Sequence, residues 1–475
     1  MGRFLFIQDN AVNENIGVMS IAGVLKQGGH DVDLLLTDEH PKNYLDLIAQ
    51  WDPDLIGFSF MTGNRKWAYE TARSIKRAIN KKIIFGGVHP TFYPEDISFN
   101  YVDYICIGEG EYPVLELMEA IDNGKDDSAI KNLWIKKQDG IIKNPLRNLI
   151  CDLDSLPLPY REIYYKYTFI RDLPMKRFIT GIGCPYKCTF CHNPLHQKLY
   201  RGKGKFVRKK SIGRVIQEIE NVKNNHFLKR VHFSDDLFIL DKAWLKSFLA
   251  LYRERIDLPF SCNLRIDQVD EDMIRDMKQS KCIGIMFGIE SGSEKIRNKI
   301  LKKKLKQEII IRNALLIKKY GIRIAVCSLF GLPEETLADA MMTLEINQAI
   351  KPFCTRPNIL LPYPKTEIAE YAIKHQLLDQ DFNIVTFDQD IGKTKIKSDD
   401  MKQLINLSAL FYLWVRFPFL KPLFTRLLRF PFPRALSLFG FIEGFESMLY
   451  HQIFNIKGLR YAFHVLKNAT RNVYH

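Results

Sequence analysis

The cysteines of this chain lack the pattern of a disulfide framework. Nine are present. Three lie close together, and the other six are scattered, mostly inside apolar runs where a thiol behaves as a small hydrophobic side chain. This usage is typical of a reducing compartment. The sequence also shows no signal peptide, because the amino terminus enters a predicted strand at once. We therefore predict a cytoplasmic protein.

Acidic residues are nearly missing from segment 401–475. It holds ten Lys and Arg residues and sixteen aromatic residues, but only Glu443 and Glu446 as acids. Its longest uncharged run, 403–415, is shorter than the roughly 20 apolar residues that span a bilayer. Interleaved Arg, Pro and aromatic residues favour a mainly helical segment at the membrane interface, peripheral at the inner membrane face. A lid over the rest of the protein or a dimer face is the alternative, and no nucleic-acid partner is predicted.

A fourth cysteine is missing from the most informative motif. The stretch GIGCPYKCTFCHNP places Cys184, Cys188 and Cys191 in a C-x3-C-x2-C spacing, after an apolar run that indicates a buried strand. Four thiolates would give a filled electron carrier or a structural zinc site. Three thiolates can instead hold a 4Fe-4S cluster whose fourth iron stays open. The spacing alone also allows zinc ligands with a distant fourth partner, or redox thiols.

Beyond the cysteines, apolar runs alternate with helix-like amphipathic stretches, which predicts βαβ units and a parallel sheet. Five runs follow, and the first three carry polar residues near their ends. These residues are Asp235 and Asp236, then Arg265, then Glu290 and Ser291. Active groups of such barrels cluster at the carboxyl ends of the strands, so we expect these side chains to lie at one site.

The cysteine motif and the following pattern resemble the radical S-adenosylmethionine (SAM) enzymes. The resemblance implies a partial (βα)6 TIM-like barrel, a 4Fe-4S cluster on the three cysteines, and SAM bound to the open iron. It also implies that Phe190 lies against the adenine of SAM. An oxygen-labile cluster further implies anaerobic chemistry. No catalytic side chain is assigned beyond the cluster ligands.

By the same resemblance, either Asp235 or Asp236 holds the methionine ammonium of SAM, and Glu290 and Ser291 lie near its ribose. Lys302 takes the position that faces the carboxylate, a role that Arg265 could fill instead. A zwitterionic amino acid needs an anion and a cation to pair with it, and charge-assisted hydrogen bonds are strong. The alternative is that Asp235 caps a helix and that Lys302 is a solvated charge.

One residue departs from the family pattern. Family members usually read GLPGET where this chain has GLPEET, so Glu334 stands in place of a turn glycine. Glycine permits backbone conformations that other residues avoid. The backbone conformation of this turn is therefore in question.

The first 125 residues also alternate strand and helix, which predicts an open, doubly wound (Rossmann-like) sheet. Ligands of such sheets bind outside the carboxyl ends of the strands. Three glycine-bearing turns stand at those ends, at 59–63, 86–89 and 108–110. Glycines let a bulky ligand approach the backbone.

These turns resemble the cobalamin-binding domain that precedes the barrel in one subclass of radical SAM enzymes. The motif D-x-H-x-x-G, whose histidine coordinates cobalt, is absent, and His89 is the tempting substitute. A domain that holds no cofactor is the alternative. The resemblance implies cobalamin contacts at Ser59, Thr62, Gly87, Val88, His89, Gly108, Glu109 and Gly110.

The predicted organisation has four parts. A cobalamin-binding domain spans 1–125, a linker spans 126–165, and a radical SAM barrel spans 166–395. The basic, aromatic and mainly helical carboxy-terminal region spans 396–475. The predicted fold class is α/β.

The resemblance implies that SAM is cleaved reductively to a 5′-deoxyadenosyl radical, and the leading hypothesis is C-methylation of an unactivated carbon with cobalamin as methyl carrier. Oxidative cyclisation, rearrangement or carbon-carbon coupling is the enzymatic alternative, and a cobalamin or redox sensor is the alternative of another class. The substrate is expected to be a small or lipid-like molecule. The expected electron donor is an external flavodoxin or ferredoxin.

Overall fold

Strands and helices alternate along most of this chain, and they assemble into two units. The computed structural model describes residues 1–10, 14–387 and 393–430. The first unit comprises Met1–Asp172 and Tyr200–Lys210, and the second comprises Leu173–Leu199 and the described residues from Ser211. The part of the predicted carboxy-terminal region at 431–475 lies outside the described residues.

The first unit is a sheet of seven strands in the order β2-β1-β3-β4-β5-β6-β7. The first five are parallel, and their order is that of a flavodoxin-like sheet. Their strongly apolar sequences suit strands that are covered on both faces. The strands are β1 (Arg3–Gln8), β2 (Asp31–Leu36), β3 (Leu55–Ser59), β4 (Lys82–Gly86), β5 (Tyr104–Cys106), β6 (Leu133–Lys137) and β7 (Gly140–Lys143).

Helices connect these strands and cover the sheet. Their apolar sides, such as Val18 and Leu25 of the first helix, join one core with the strands. The helices are α1 (Ile16–Gln27), α2 (Tyr44–Trp51), α3 (Arg65–Ile79), α4 (Val88–Phe92), α5 (Glu111–Asp122), α6 (Glu162–Tyr165) and α7 (Thr168–Arg171). The predicted doubly wound class is confirmed.

The segment predicted as a linker folds with the first unit. Strand β6 pairs antiparallel with β5, and β7 pairs antiparallel with β6. Tyr164 and Ile170 are fully buried in the core of this unit, and the Tyr167 hydroxyl donates to the Leu34 carbonyl at 3.1 Å. The boundary at 125 and the start of the barrel at 166 are therefore corrected, because apolar side chains of this segment complete the sheet and its core.

The second unit is a six-stranded sheet in the order β15-β14-β13-β12-β11-β8. All its neighbouring strands are parallel, and apart from the short excursion after β8 they follow the chain order. This arrangement is the predicted (βα)6 sheet. Its strands are β8 (Met175–Phe178), β11 (Arg230–Phe233), β12 (Phe260–Asn263), β13 (Cys282–Glu290), β14 (Arg323–Phe330) and β15 (Cys354–Ile359).

Helices after these strands pack their apolar faces on the sheet and form one large core. Two short strands, β9 (Gly181–Ile182) and β10 (Arg208–Lys209), lie between β8 and β11 in the chain. The helices are α8 (Asn193–Leu199), α9 (Ile212–Asn225), α10 (Lys242–Arg255), α11 (Glu271–Gln279), α12 (Gln307–Lys319), α13 (Leu337–Ile350) and α14 (Glu367–Lys374).

The carboxy-terminal region begins with α15 (Met401–Arg416) and α16 (Lys421–Leu427). The apolar face of α15 packs against the barrel, where Leu407 and Phe411 meet Phe330 and Leu344. This face is therefore covered by protein. No helix within the described residues is long and apolar enough to cross a membrane.

We predict that Trp414→Ala strongly destabilises this region. Trp414 is fully buried, and its ring centroid lies 5.4 Å from that of Phe424. Removing a buried aromatic side chain costs about 3–5 kcal/mol. The control is Phe419→Ala, since Phe419 is 74% exposed and a surface substitution changes stability by about 0.5 kcal/mol or less. Urea denaturation of the full chain, followed by circular dichroism, compares them; equal midpoints would contradict this packing.

Candidate active site

The three thiols of the C-x3-C-x2-C motif lie on the loop between β9 and α8, and each is half-buried. Burial raises the pKa of all three, that of Cys191 to about 11, and the neighbouring thiols Cys184 and Cys188 add to the effect at Cys191. The three thiols therefore lie close enough together for one to raise the pKa of another. Because the thiolate is the metal ligand, iron would bind with release of these protons.

Within the described residues, no three His, Cys, Asp or Glu side chains lie close enough together to hold a single metal ion. A 4Fe-4S cluster asks for a different spacing, because each thiolate binds its own iron. Three thiols on one loop fit a cluster with one open iron.

The second unit holds the cluster loop at both ends. The Gln197 side chain donates to the Cys184 carbonyl at 2.6 Å. Near the other end, the Thr189 hydroxyl donates to the Ile300 carbonyl at 2.8 Å, and the Thr189 amide donates to the Leu301 carbonyl at 3.2 Å. The loop conformation therefore depends on residues 111 positions away, in the segment that follows β13.

Phe190, which is predicted to face the adenine of SAM, sits next to Cys191 and is half-buried. It packs against an apolar cluster that includes Ile296 and Leu332. One side of its ring is thus supported by protein, while part of the ring remains open. This placement is compatible with the predicted role.

The structure separates the two candidate aspartates. Asp235 is buried, and its carboxylate accepts hydrogen bonds from the Thr180 amide at 3.0 Å and the Thr180 hydroxyl at 2.5 Å. It therefore ties the end of β11 to the chain after β8. Asp236 is exposed, and its negative charge contributes to the raised pKa of Cys184 and Cys191, after burial. Asp236 is thus the exposed aspartate whose charge acts on the cluster loop.

Arg265 lies against the cluster loop. Its guanidinium carbon is 3.7 Å from the centroid of the Tyr186 ring, within the C-x3-C segment. It also forms an ion pair with Asp267 at 2.9 Å and donates to the Lys303 carbonyl at 2.9 Å. Burial lowers the pKa of Arg265, but the bonds to Asp267 outweigh it and the pKa is raised overall. Arg265 therefore braces the loop with a permanent positive charge.

Glu290 forms a buried ion pair with Lys303, a residue that the sequence analysis did not select. The Glu290 carboxylate lies 2.6 Å from Lys303 Nζ, and the two side chains are 10% and 9% exposed. Glu290 ends β13 with a φ of 63°, in the left-handed region. The Lys303 charge lowers the pKa of Cys188, against the larger effect of burial. The pair therefore adjoins the cluster loop.

Lys302, the predicted SAM residue, points elsewhere. Its side chain is 51% exposed and forms an ion pair with Glu367. Leu301 and Leu305 are buried, so the alternation along 301–305 turns Lys303 inward and Lys302 and Lys304 outward. The prediction for Lys302 is therefore corrected, with Lys303 at the inward position. The two flanking leucines were the signal that could have identified it.

Ser291 is fully buried, and its hydroxyl accepts a hydrogen bond from the Ser293 amide at 3.3 Å. The fully buried Arg297 holds the same turn, because it donates to the carbonyls of Ser291 and Leu305 at 2.7 Å each. Ser291 therefore belongs to the support of the site, and its place near the ribose of SAM stays a prediction.

The GLPEET turn after β14 has the unusual backbone that its sequence suggested. Glu334 has a φ of 60°, in the left-handed region that favours glycine. Its carboxylate accepts a hydrogen bond from Tyr371 and pairs with Lys295 at 3.1 Å. Burial raises the pKa of the neighbouring Glu335 to about 8. Side-chain contacts thus hold a turn that glycine would adopt without strain.

In the first unit, the predicted cobalamin turns stand at the carboxyl ends of β3, β4 and β5. Gly87 has a φ of 94°, and a Cβ there would lie 2.8 Å from the Phe60 amide nitrogen. Ser59 and Val88 are half-buried beside it. Ser59, Gly87 and Val88 are thus partly accessible and have small side chains or none, which suits contact with a large ligand.

His89 supports this turn from below. It is fully buried, with Nδ1 3.1 Å from the Thr62 hydroxyl and Nε2 2.8 Å from the Tyr69 hydroxyl. Asp96 lies 3.2 Å from the same Nε2. Both ring nitrogens are thus occupied, so His89 cannot reach cobalt. Thr62 is likewise buried and bonded to His89, so the predicted ligand contacts of these two side chains are corrected.

The third turn is covered by the segment 200–210 of the same unit. Gly108 has a φ of 77°, and a Cβ there would lie 1.6 Å from the Tyr200 hydroxyl. The Glu109 carboxylate pairs with the buried Arg208 at 2.6 Å and accepts the Ile150 amide at 2.8 Å. The carboxylate of Glu109 is therefore used within the protein. Gly110 is buried against Ile21 of α1. The Gly108 amide donates to the Thr91 hydroxyl at 2.9 Å, and the Glu109 amide donates to the Tyr200 hydroxyl at 3.2 Å, so these backbone donors are also used within the protein.

Two family models match this chain. The B12 binding domain matches residues 3–118, and the radical SAM superfamily matches residues 178–346. The first covers the parallel part of the first sheet with its three turns. The second begins at the end of β8 and includes the cluster loop.

Two curated proteins and one solved structure are similar to this chain over most of their length. An uncharacterized methyltransferase of Pyrococcus horikoshii is 29% identical over 374 residues, which is 76% of this chain and 79% of that protein. The anaerobic magnesium-protoporphyrin IX monomethyl ester cyclase of Rubrivivax gelatinosus is 25% identical over 391 residues, with 78% and 68% covered. The structure of OxsB, a cobalamin-dependent SAM radical enzyme with aqua-cobalamin and SAM bound, shares the fold at a TM-score of 0.68 and 17% identity, with 99% and 75% covered.

We predict that Cys184→Ala, Cys188→Ala and Cys191→Ala each lose most of the iron that the wild type binds after anaerobic reconstitution. The reason is that each thiol would hold a different iron of the cluster. The matched control is Cys151→Ala, because Cys151 is exposed and lies in the first unit. Iron and sulfide analysis measures the outcome, and full iron content in any of the three motif variants would contradict the assignment.

Two neighbouring lysines give a second test. Lys303→Ala should destabilise the protein by about 3–5 kcal/mol, because it leaves Glu290 buried without its partner. Lys302→Ala should cost about 1 kcal/mol or less, since it removes only an exposed ion pair. We also expect weaker SAM binding in Lys303→Ala alone, measured by calorimetric titration of cluster-loaded protein. Equal losses in both variants would contradict the different placement of the two side chains.

Proposed function

Because this chain belongs to the radical SAM enzymes that carry an amino-terminal B12-binding domain, we propose that it methylates an unactivated carbon of a small or lipid-like substrate. Its cofactors are those of that family: a 4Fe-4S cluster, SAM and cobalamin. When bound, the reduced cluster and SAM supply a 5′-deoxyadenosyl radical that removes a hydrogen atom from carbon, and cobalamin supplies the methyl group. The protein contributes binding, orientation and protection from water.

The SAM part of the proposal rests on charges of both signs beside the cysteine motif. The negative charge of Asp236 acts on Cys184 and Cys191, the positive charge of Lys303 acts on Cys188, and that of Arg265 acts on both Cys184 and Cys188. A zwitterionic amino acid group pairs with an anion and a cation, and both hydrogen bonds are charge-assisted. These charges adjoin the three thiols that would hold the open iron.

We propose a separate role for each of these residues. Asp236 would bind the ammonium of SAM, because Asp235 is committed to Thr180. Arg265 or Lys303 would face the carboxylate. The half-open ring of Phe190 would support the adenine. These roles orient SAM against the cluster loop without requiring any side chain to act as an acid or a base.

In the first unit, the turn at 86–88 would hold cobalamin through backbone groups and small side chains. Gly87 has a positive φ and is half-buried. The turn at 108–110 would contribute to the site without its Gly108 and Glu109 amides, which are bonded to Thr91 and Tyr200. His89 would support this turn and would not itself contact cobalamin, since its ring is buried and bonded on both sides.

Methylation is favoured over other outcomes of the same cofactors by the relative from Pyrococcus horikoshii, which is named a methyltransferase. The relative from Rubrivivax gelatinosus is named a cyclase, so oxidative cyclisation is the second candidate. The two outcomes differ in what they consume. Methylation uses two SAM molecules for each product, and cyclisation does not transfer the methyl group.

We also propose an electron donor and a class of substrate. An external flavodoxin or ferredoxin would reduce the cluster. A lipid-like substrate is supported by the exposed apolar side chains of the carboxy-terminal region, such as Phe419. Such a substrate would be taken from a membrane or another apolar phase.

The test uses reconstituted full-length enzyme with hydroxocobalamin, titanium citrate as reductant and SAM carrying a deuterated methyl group. Small-molecule and lipid extracts serve as the substrate source. We expect both S-adenosylhomocysteine and 5′-deoxyadenosine, together with a new extract component that has gained the deuterated methyl group. Asp236→Ala should abolish both, while Lys302→Ala should retain both. Production of 5′-deoxyadenosine alone, with an unmethylated product, would contradict methylation and favour cyclisation.

A further inference from the structure

The turn between α15 and α16 exposes an unusual concentration of apolar side chains. Phe417, Phe419 and Leu423 are 42%, 74% and 50% exposed. They are three of the ten large hydrophobic side chains that are exposed among the described residues, and the other seven are scattered through the chain. The rings of Phe417 and Phe419 lie 6.0 Å apart. This clustering calls for an apolar partner.

The base under these side chains is well packed, so their exposure does not come from a frayed end. Phe424 of α16 packs on the buried Trp414, with ring centroids 5.4 Å apart. The buried Asn406 side chain donates to the carbonyls of Leu428 and Phe430 at 2.9 and 3.0 Å. The turn is therefore presented outward by a fixed pair of helices.

Cations neighbour the exposed apolar side chains in the sequence. Arg416, Lys421, Arg426 and Arg429 are all exposed. The sequence has no acidic residue between Asp400 and Glu443. We call the exposed residues of 416–429 the basic apolar surface. Its combination of aromatic rings with Lys and Arg is typical of segments that lie at the headgroup level of a bilayer.

A second copy of this chain is a poor occupant for this surface. A twofold interface would place the same patch of each subunit against the other. Lys and Arg side chains of the two copies would then face each other. No Asp or Glu between Asp400 and Glu443 could pair with them. An anionic lipid surface instead offers opposite charge and an apolar interior together.

We propose that the basic apolar surface binds the anionic face of a lipid bilayer, with Phe417, Phe419 and Leu423 inserted at headgroup depth. Lys421, Arg426 and Arg429 would lie near the lipid phosphates, where each cation adds to the attraction. The proposed contact is peripheral. The inference goes beyond the proposed reaction and does not depend on it, since vesicle binding needs no turnover.

Co-sedimentation of the full-length, cluster-reconstituted protein with sucrose-loaded vesicles tests this inference. The vesicles contain either phosphatidylcholine alone or phosphatidylcholine with phosphatidylglycerol. We expect about tenfold or stronger binding to the anionic vesicles, and a decrease as salt screens the charges. Leu423→Ser should weaken binding about tenfold by removing an inserted side chain, and Lys421→Glu should weaken it at low salt.

Each variant has a matched control on another face. Leu315 of α12 is 47% exposed, so Leu315→Ser removes a similar leucine away from the basic apolar surface. Lys246 of α10 is exposed, so Lys246→Glu makes the same charge change elsewhere. Wild-type protein that stays in the supernatant with anionic vesicles would overturn the inference. So would equal losses in Leu315→Ser and Leu423→Ser, or a dimer that Leu423→Ser converts to a monomer without any vesicle binding.

Discussion

The buried ion pair between Glu290 and Lys303 is the contact on which the barrel end of this protein depends most. Two charges are withdrawn from water there, and only their close pairing compensates for the lost hydration. The pair joins the last residue of β13 to the loop 300–305. The same loop supplies the carbonyls that hold Thr189 within the cysteine motif. A single buried contact thus connects the sheet, the supporting loop and the three thiols.

Charged side chains also surround the three thiols. Acidic and basic groups near the cysteines come from different strands, and the strand ends of a parallel sheet bring them to one edge. Asp235 and Ser291 are used to support that edge, and our proposal assigns the SAM contacts to Asp236 and to Arg265 or Lys303. In the first unit the corresponding edge is built from glycines and small residues, while His89 and Arg208 brace it from within. The two units therefore serve the same purpose, cofactor binding, by different physical means.

Much of this arrangement could be predicted from the sequence. The three-cysteine spacing, the parallel α/β class and the turns at the strand ends depend on local patterns, and the structure and family models agree with them.

The sequence could not decide between neighbouring residues of the same type. Asp235 and Asp236 have the same chemistry, and only the long-range contact with Thr180 separates them. Lys302 and Lys303 differ by the direction of one side chain, which an irregular loop sets. The segment 126–172 was predicted as a linker with the start of the barrel, because its two short strands gain their apolar partners only by joining a distant sheet edge. The individual SAM contacts remain predictions.

The central claim is that one chain binds both a three-thiolate 4Fe-4S cluster and cobalamin. The most direct measurement is the iron, sulfide and cobalt content of the anaerobically reconstituted full-length protein after incubation with hydroxocobalamin and gel filtration. We predict about four irons and about one cobalt for each chain. Iron without cobalt would contradict this prediction, because the turns of the first unit would then not bind cobalamin.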